Sequence, residues 1–570
     1  MLIFYQVRGE ENNTNNYRFG IMCSGYHFHQ WKAKTIQFLI DYGHEPSLLI
    51  IDDRPDMKMP FVKRLWHYPY AKFLFRIYNR FFFKPASRQL VSLESLLKGV
   101  PNIRCRVEEK GFSEIFTDQD VERIKSHNLD FVLRFGFNII RGGILQSARF
   151  GIWSFHHADE QKYRGGPPGF WEIYFRDNVN GAILQRLTNR LDAGYVLRKG
   201  YFKTIHHSWP ANLDRLHFES ARWPSQVAED LKNGVLDPDN LEPSSSTAKI
   251  YHFPGNGKML WFLFQSLYNK LSFHYHDLFK AEKWNIGIIT KPVSELMQPN
   301  LNIEPLWLQK PPSGSYYADP FGFFDDGNFR ILYEDYNFKE AKAKISCVNI
   351  EPGSGKIIKI KPCIEELHHL AYPFLFTEQG ETYCMPESAD DSQVVLYRYD
   401  KNSDSFVQHG VLLHDMDAVD ATLIRYESKW WLFFTRKHLS DTHLYVYYAD
   451  VLTGEYQPHK NNPVKTDVRS ARPAGLPFVI GGTLFRPAQN CSKTYGGSTI
   501  INRVSVLSPE NFKEEKVNEI KPFQNTVFNK GTHTLSAVGD FTLIDGKYFV
   551  FSYNQFFQRL RRKLSKKLHV

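Results

Sequence analysis

Apolar residues fall in two different rhythms along this chain of 570 residues. Up to about residue 240 they form short runs separated by glycine turns and amphipathic stretches. Phe19–Met22 and Ser47–Ile51 read as buried strands, joined through Gly25 and a helix-period segment between them. Thr117 and Asp120 form a capping pair for a helix through Ser126, Leu129–Phe137 is the next apolar strand, and an Arg-Gly-Gly turn at 141–143 leads into Ile152–Phe155. This β-α-β alternation predicts a parallel sheet with His156 at a strand's carboxyl end, where open α/β sheets receive ligands. A helix follows over 211–232, then a polar linker at 241–249 and an aromatic-rich connecting helix within 256–282.

From about 285 onward the rhythm changes to pairs of short apolar runs joined by tight turns. Units begin near 317, 370, 418, 471 and 537. Recurrence near 50 residues with several strands per unit predicts a five-bladed β-propeller, since each blade needs neighbours to cover its faces. The fold class is thus α/β plus all-β, with a Rossmann-like domain over 17–240, a linker and connecting helix over 241–284, the propeller over 285–555 and a basic tail over 556–570. Tyr372 takes the place in the second repeat that Asp319 holds in the first.

Composition narrows the setting. The six cysteines are scattered without a C-x-x-C pair, which argues against a zinc site and a disulfide framework, so no metal is expected. The amino-terminal segment does not read as a signal peptide, and no run approaches a spanning helix, so a cytoplasmic protein is expected. The net charge is +10, yet residues 57–93 hold eight Lys/Arg and 556–570 hold six, with no Asp or Glu in either. Segment 61–85 interleaves ten aromatic residues with six Lys/Arg. Basic charge with aromatics suits a peripheral anchor on an anionic membrane face, through 61–85 and 556–570. No nucleic-acid recognition motif accompanies the charge, so no nucleic-acid partner is expected.

The chemistry concentrates in residues 151–200, where His156, an Arg164-Gly165-Gly166 turn and an Asp192-Ala193-Gly194 loop sit close together. One imidazole and one carboxylate beside glycine-rich backbone suit proton management around an amine attacking a carbonyl. In order and spacing the segment resembles the core of the formyltransferase family. That resemblance implies 10-formyltetrahydrofolate as donor, His156 as base and oxyanion partner, Asp192 as its electrostatic support, and Arg164-Gly165 as the turn beside the substrate. The family asparagine falls on Ser154, a shorter donor whose weakness costs about 3–4 kcal/mol of transition-state stabilisation unless another group substitutes. His157 is a candidate substitute.

The repeat region resembles the propeller at the amino terminus of plant glucosamine inositolphosphorylceramide transferase, through motifs such as A-D-P-F, HHLAYPFLF, KWWLFFT, HKNNPV and RPAG. The resemblance implies a glycan-related setting. Asp319, Glu387 and Asp420, with His369 and Arg472, come from different repeats and are expected to meet at one mouth as a sugar site. The leading expectation is N-formylation of a nucleotide- or lipid-linked amino sugar in surface glycan synthesis. Two alternatives stand beside it: an inactive glycan-binding scaffold at the membrane, and a propeller glycosidase using paired carboxylates.

Overall fold

The computed structural model describes residues 16–54, 70–190, 194–244, 246–298, 304–351, 356–553 and 556. The chain divides into two compact units. One holds the residues up to Trp171 with Gly181–Lys199 and Trp209–Phe262, the other Glu172–Asn180, Gly200–Ser208 and the chain from Leu263 on.

The first unit is built on a seven-stranded sheet. Its strands are β1 (Arg18–Cys23), β2 (Glu45–Asp52), β3 (Asn102–Cys105), β4 (Phe131–Arg134), β5 (Ile152–His156), β6 (Val179–Arg186) and β7 (Tyr195–Lys203), in the order β7-β6-β5-β4-β1-β2-β3. From β5 to β3 the pairs run parallel, and β6 joins β5 antiparallel. Phe19–Cys23 and Ser47–Ile51 are buried on both faces, as a covered parallel sheet requires. Met22, Ile50, Val132 and Ile152 pack together with Val121 and Ile124 of helix α3 (Asp118–Lys125). Phe131 stacks between Phe19 and Trp153, with centroids 5.7 and 3.9 Å away. Helix α1 (Gln30–Asp41) follows β1, and α2 (Phe73–Phe81) lies between β2 and β3 in the chain.

Two local expectations hold and two shift. Thr117 does cap α3, accepting from Asp120 N at 3.2 Å. The strand expected over Leu129–Phe137 is confined to Phe131–Arg134, because the backbone then turns inward: Phe135 N and Gly136 N both donate to Met22 O, and Phe137 adopts a φ of 61°. A Cβ on Gly136 would lie 3.1 Å from Cys23 Cα, so glycine permits that approach. The helix expected over 211–232 is two, α4 (Trp209–Ser220) and α5 (Trp223–Lys232). Pro224 has no N–H to continue the first helix and sits instead in the opening turn of the second. Helix α6 (Asn256–Phe279) matches the expected connecting helix.

Among the described residues the second unit holds five antiparallel sheets, as the five repeats predict. Their first strands include Ser315–Asp325, Ala371–Glu378, Ala418–Tyr426 and Phe478–Ile480. The remaining sheet joins both ends of the unit, pairing Lys280–Ile289 with Phe541–Phe551 over ten residues. The first strands of three sheets share one irregularity. Register slips between Ala318 and Phe321, between Ala371 and Phe374, and between Val419 and Thr422. The residue inside each slip has positive φ: Asp319 at 52°, Tyr372 at 42° and Asp420 at 50°. The repeat alignment that equates Asp319 with Tyr372 is therefore also a backbone equivalence.

Candidate functional site

In the first unit, the carboxyl ends of β4 and β5 present Arg134, Ser154 and His156. Ser154 and His156 are two residues apart on one strand and so face the same way. His156 Nε2 lies 3.1 Å from the Tyr163 carbonyl oxygen. A carbonyl only accepts, so Nε2 carries a proton, and in the neutral ring Nδ1 is then the nitrogen with the lone pair. Ser154 is buried and its Oγ accepts from Arg134 Nε at 3.1 Å and Nη2 at 2.8 Å. Arg134 Nη1 donates to the Phe137 and Asn138 carbonyls. Four of the five guanidinium hydrogens are thus engaged and one on Nη2 remains.

A cavity of about 140 Å³ opens here, lined by Arg134, Arg141, His156, Gln185 and Gly194 among others. Arg141 Nε is buried and has no hydrogen-bond partner among the described residues. A larger cavity of about 790 Å³ shares Leu187, Thr188 and Asn189 with it. Asp192 lies outside the described residues; its neighbour Gly194 lines the smaller cavity.

His157 does not substitute for the missing asparagine. Its side chain leaves β5 on the opposite face, where Nε2 meets Ser220 Oγ at 3.2 Å and the ring lies edge-on to Trp31 at 5.1 Å. Burial drives its pKa down to about 3, so it is a neutral core histidine. Arg164 and Gly165 form a short parallel bridge with Ile250 and Tyr251, and a Cβ on Gly165 would lie 2.2 Å from Tyr251 O. Just before the turn, the Tyr163 carbonyl holds His156.

In the second unit the sequence-predicted residues do converge. Asp420 accepts from Arg472 Nε at 2.6 Å and Gln489 Nε2 at 2.7 Å. Asp420 N donates to Glu387 Oε2 at 3.3 Å. Asp319 accepts from Thr534 Oγ1 at 2.5 Å and lies 3.6 Å from His533 Nε2. The other ring nitrogen of His533 pairs with Asp545. His369 comes 3.9 Å from Glu334, which accepts from Tyr316 at 3.1 Å. Burial first, and the neighbouring Asp420 carboxylate second, push Glu387 up to about 8, while burial raises Asp319 to about 6. Burial and the Asp319 carboxylate lift Glu334 well above the carboxylate range. Four carboxyl groups thus share one buried neighbourhood with Arg472, and some must hold protons at neutral pH.

Asp319, His533 and Asp545 also bring ligand atoms within 4.8 Å of one another. Asp545 Oδ1 also accepts from the backbone N–H groups of His533 and Thr534, at 2.8 and 3.2 Å. Of the basic segments expected at a membrane, 61–69 and 557–570 lie outside the described residues.

Residues 290–537 match the family model described as glucosamine inositolphosphorylceramide transferase 1, N-terminal. The curated protein of that name from Oryza sativa subsp. japonica is 30% identical over 210 residues, which is 36% of this chain and 28% of that protein. The chain therefore spans less than a third of the length of that relative. Methionyl-tRNA formyltransferase of Agathobacter rectalis is 24% identical over 135 residues, covering 23% of this chain and 44% of that one. Among solved structures, glycinamide ribonucleotide transformylase 1 from Symbiobacterium toebii aligns at 15% identity and a TM-score of 0.28, over 42% of this chain and 100% of that one. The family 117 glycoside hydrolase Zg3597 of Zobellia galactanivorans aligns at 14% identity and a TM-score of 0.32, over 47% and 91%.

Proposed function

We propose that the first unit transfers a one-carbon acyl group to the amine of an amino sugar in glycan synthesis, and that the second unit, a five-bladed propeller, binds glycan. The observation that carries the first half is one cavity lined both by an imidazole whose Nε2 is held by a carbonyl and by a guanidinium with one hydrogen left over. His156 Nδ1 takes the proton that the acceptor amine sheds on attack and passes it to the donor nitrogen, which leaves as the tetrahedral adduct collapses and its bond to the formyl carbon breaks. The remaining Arg134 Nη2 hydrogen meets the oxygen that becomes negative, the role an asparagine amide fills in the formyltransferase family. Ser154 then orients Arg134 instead of acting as the donor itself.

A reduced folate would supply the formyl group on a nitrogen. The donor set of Arg134, Arg141, Gln185 and His156 fits the formyl end, with the unpartnered Arg141 Nε offering one more hydrogen bond. At about 140 Å³ the cavity takes that end alone, since whole ligands of such size fill about 300–1,000 Å³. Incubating the full chain with 10-formyltetrahydrofolate and a panel of nucleotide- and lipid-linked amino sugars is expected to give a formamide, read by mass spectrometry. No product from any amine, together with no folate binding by calorimetry, would sink the reading.

The carboxylate neighbourhood of the second unit favours a second reading, a glycan-binding protein whose first unit is inert. Protonated and ionised carboxyls side by side suit sugar hydroxyls, which both donate and accept. On that reading Asp420→Asn abolishes glycan-array binding while His156→Gln leaves it, and any formylation, unchanged.

A further inference from the structure

Helix α6 carries apolar side chains on its outward side as well as its buried one. Its protein-facing side carries Met259, Phe262 and the polar Gln265, all buried, and Asn269, whose amide donates to His206 O at 3.1 Å. Its outward side carries Leu260, Phe264, Leu267 and Leu271, which are 59, 62, 59 and 63% exposed. Spacings of four, three and four residues put them on one stripe, flanked by the exposed Trp261, Tyr268 and Tyr275. A helix facing water has the opposite arrangement, and an apolar stripe along about 17 Å of helix marks a surface that another phase covers.

The charge around the stripe says which. The exposed face of α6 carries Lys258 and Lys270, and its single acid, Asp277, is half-buried. Helix α2 is fixed to the start of α6 through Asn256, which accepts from Leu74 N at 3.1 Å and donates to Tyr70 O at 2.7 Å. It adds the exposed Phe81 and Phe82, 64 and 67% open, and residues 70–85 hold Lys72, Arg76, Arg80 and Lys84 without one Asp or Glu. A protein partner's apolar surface does not ask for that one-signed fringe. Anionic headgroups do, and Trp and Tyr rings settle at their level. No helix among the described residues is long and apolar enough to cross a membrane.

We infer that α6, with the exposed end of α2, lies in the plane of an anionic bilayer surface, its leucine stripe sunk among the acyl chains. This goes beyond the basic segments recognisable in the sequence, because the inserting element carries few charges and was legible only as a connector.

The full chain would be sedimented with vesicles of phosphatidylcholine alone and with a third of phosphatidylserine added. Retention on the anionic vesicles, weakened by salt, is expected. The variant Leu267→Glu/Leu271→Glu should lose roughly tenfold or more in retention while keeping the wild-type melting curve. Quenching of Trp261 by brominated lipid tests insertion without disturbing the stripe, and Trp261→Phe should remove that signal. Three results would overturn the inference: no retention on anionic vesicles, equal retention of the double variant, or a wild-type dimer without lipid affinity that the double variant converts to monomer. None of them bears on formyl transfer, which rests on other residues.

Discussion

At the residue scale, the neighbouring histidines of β5 make opposite predictions. His156 lines the cavity with its Nε2 held by a carbonyl, so His156→Gln is expected to lower kcat for formyl transfer by about a hundredfold or more. His157 packs on Trp31 and His217, so His157→Gln should leave kcat within a few-fold and show itself in the melting temperature instead. Stopped assays of both variants on one acceptor decide the matter, and equal losses would remove His156 from its role. Arg134→Met tests the missing donor: about a hundredfold to a thousandfold loss in kcat is expected, with KM little changed. The sequence exposed the fault at Ser154 but not its remedy. Arg134 ends an apolar run, Phe131-Val132-Leu133, and a lone cation closing a buried strand two residues before the chain turns inward is the signal that could have found it. Spacing along one strand cannot show which residue of a neighbouring strand fills a gap.

At the element scale, the repeats carried most of the second unit, because antiparallel strands pair with their chain neighbours and leave their period in the sequence. What the period hid was closure. Asp545-Gly546 looks like a turn, yet it lies inside the strand Phe541–Phe551, and the turn is at Gly539, with a φ of 56°. Asp545 therefore reaches His533 as a buried acid, a partnership that needs the amino-terminal strand Lys280–Ile289 alongside. The strand that holds Tyr372 is locked by backbone as well. Gly475 has a φ of 109°, its N–H donates to Tyr372 Oη at 2.6 Å, and a Cβ there would lie 2.0 Å from Leu535 O. Gly475→Ala must push a backbone carbonyl away and strain its own φ, so a loss of about 3 kcal/mol or more is expected. Calorimetric unfolding that moves by less than about 0.5 kcal/mol would show that the strand ends tolerate rearrangement.

At the scale of the whole molecule, stability and the candidate glycan site are linked through protons. Glu387 titrates at 4.5 when exposed and at about 8 in the fold, because burial and the Asp420 carboxylate disfavour its charge. Between those values the folded chain binds a proton that the unfolded chain has released. Stability therefore falls as pH rises through that window, and is level, for this group, below and above it. Asp319 and Glu334 share the sign, whereas Asp404, held below the usual carboxylate range by Lys361 and Arg330, adds stability once ionised. The net slope mixes both kinds, so the contribution of Glu387 must be read as a difference. Glu387→Gln keeps the shape and a neutral donor but cannot ionise. From about pH 5 to about pH 8 the wild-type melting temperature should drop further than that of the variant, by roughly 4 °C or more. The variant should then be the more stable of the two at the upper pH and similar to wild type at the lower. Parallel pH profiles would mean that Glu387 is ionised in the fold, and the argument that this cluster presents both protonated and charged oxygens to a sugar would fall with it.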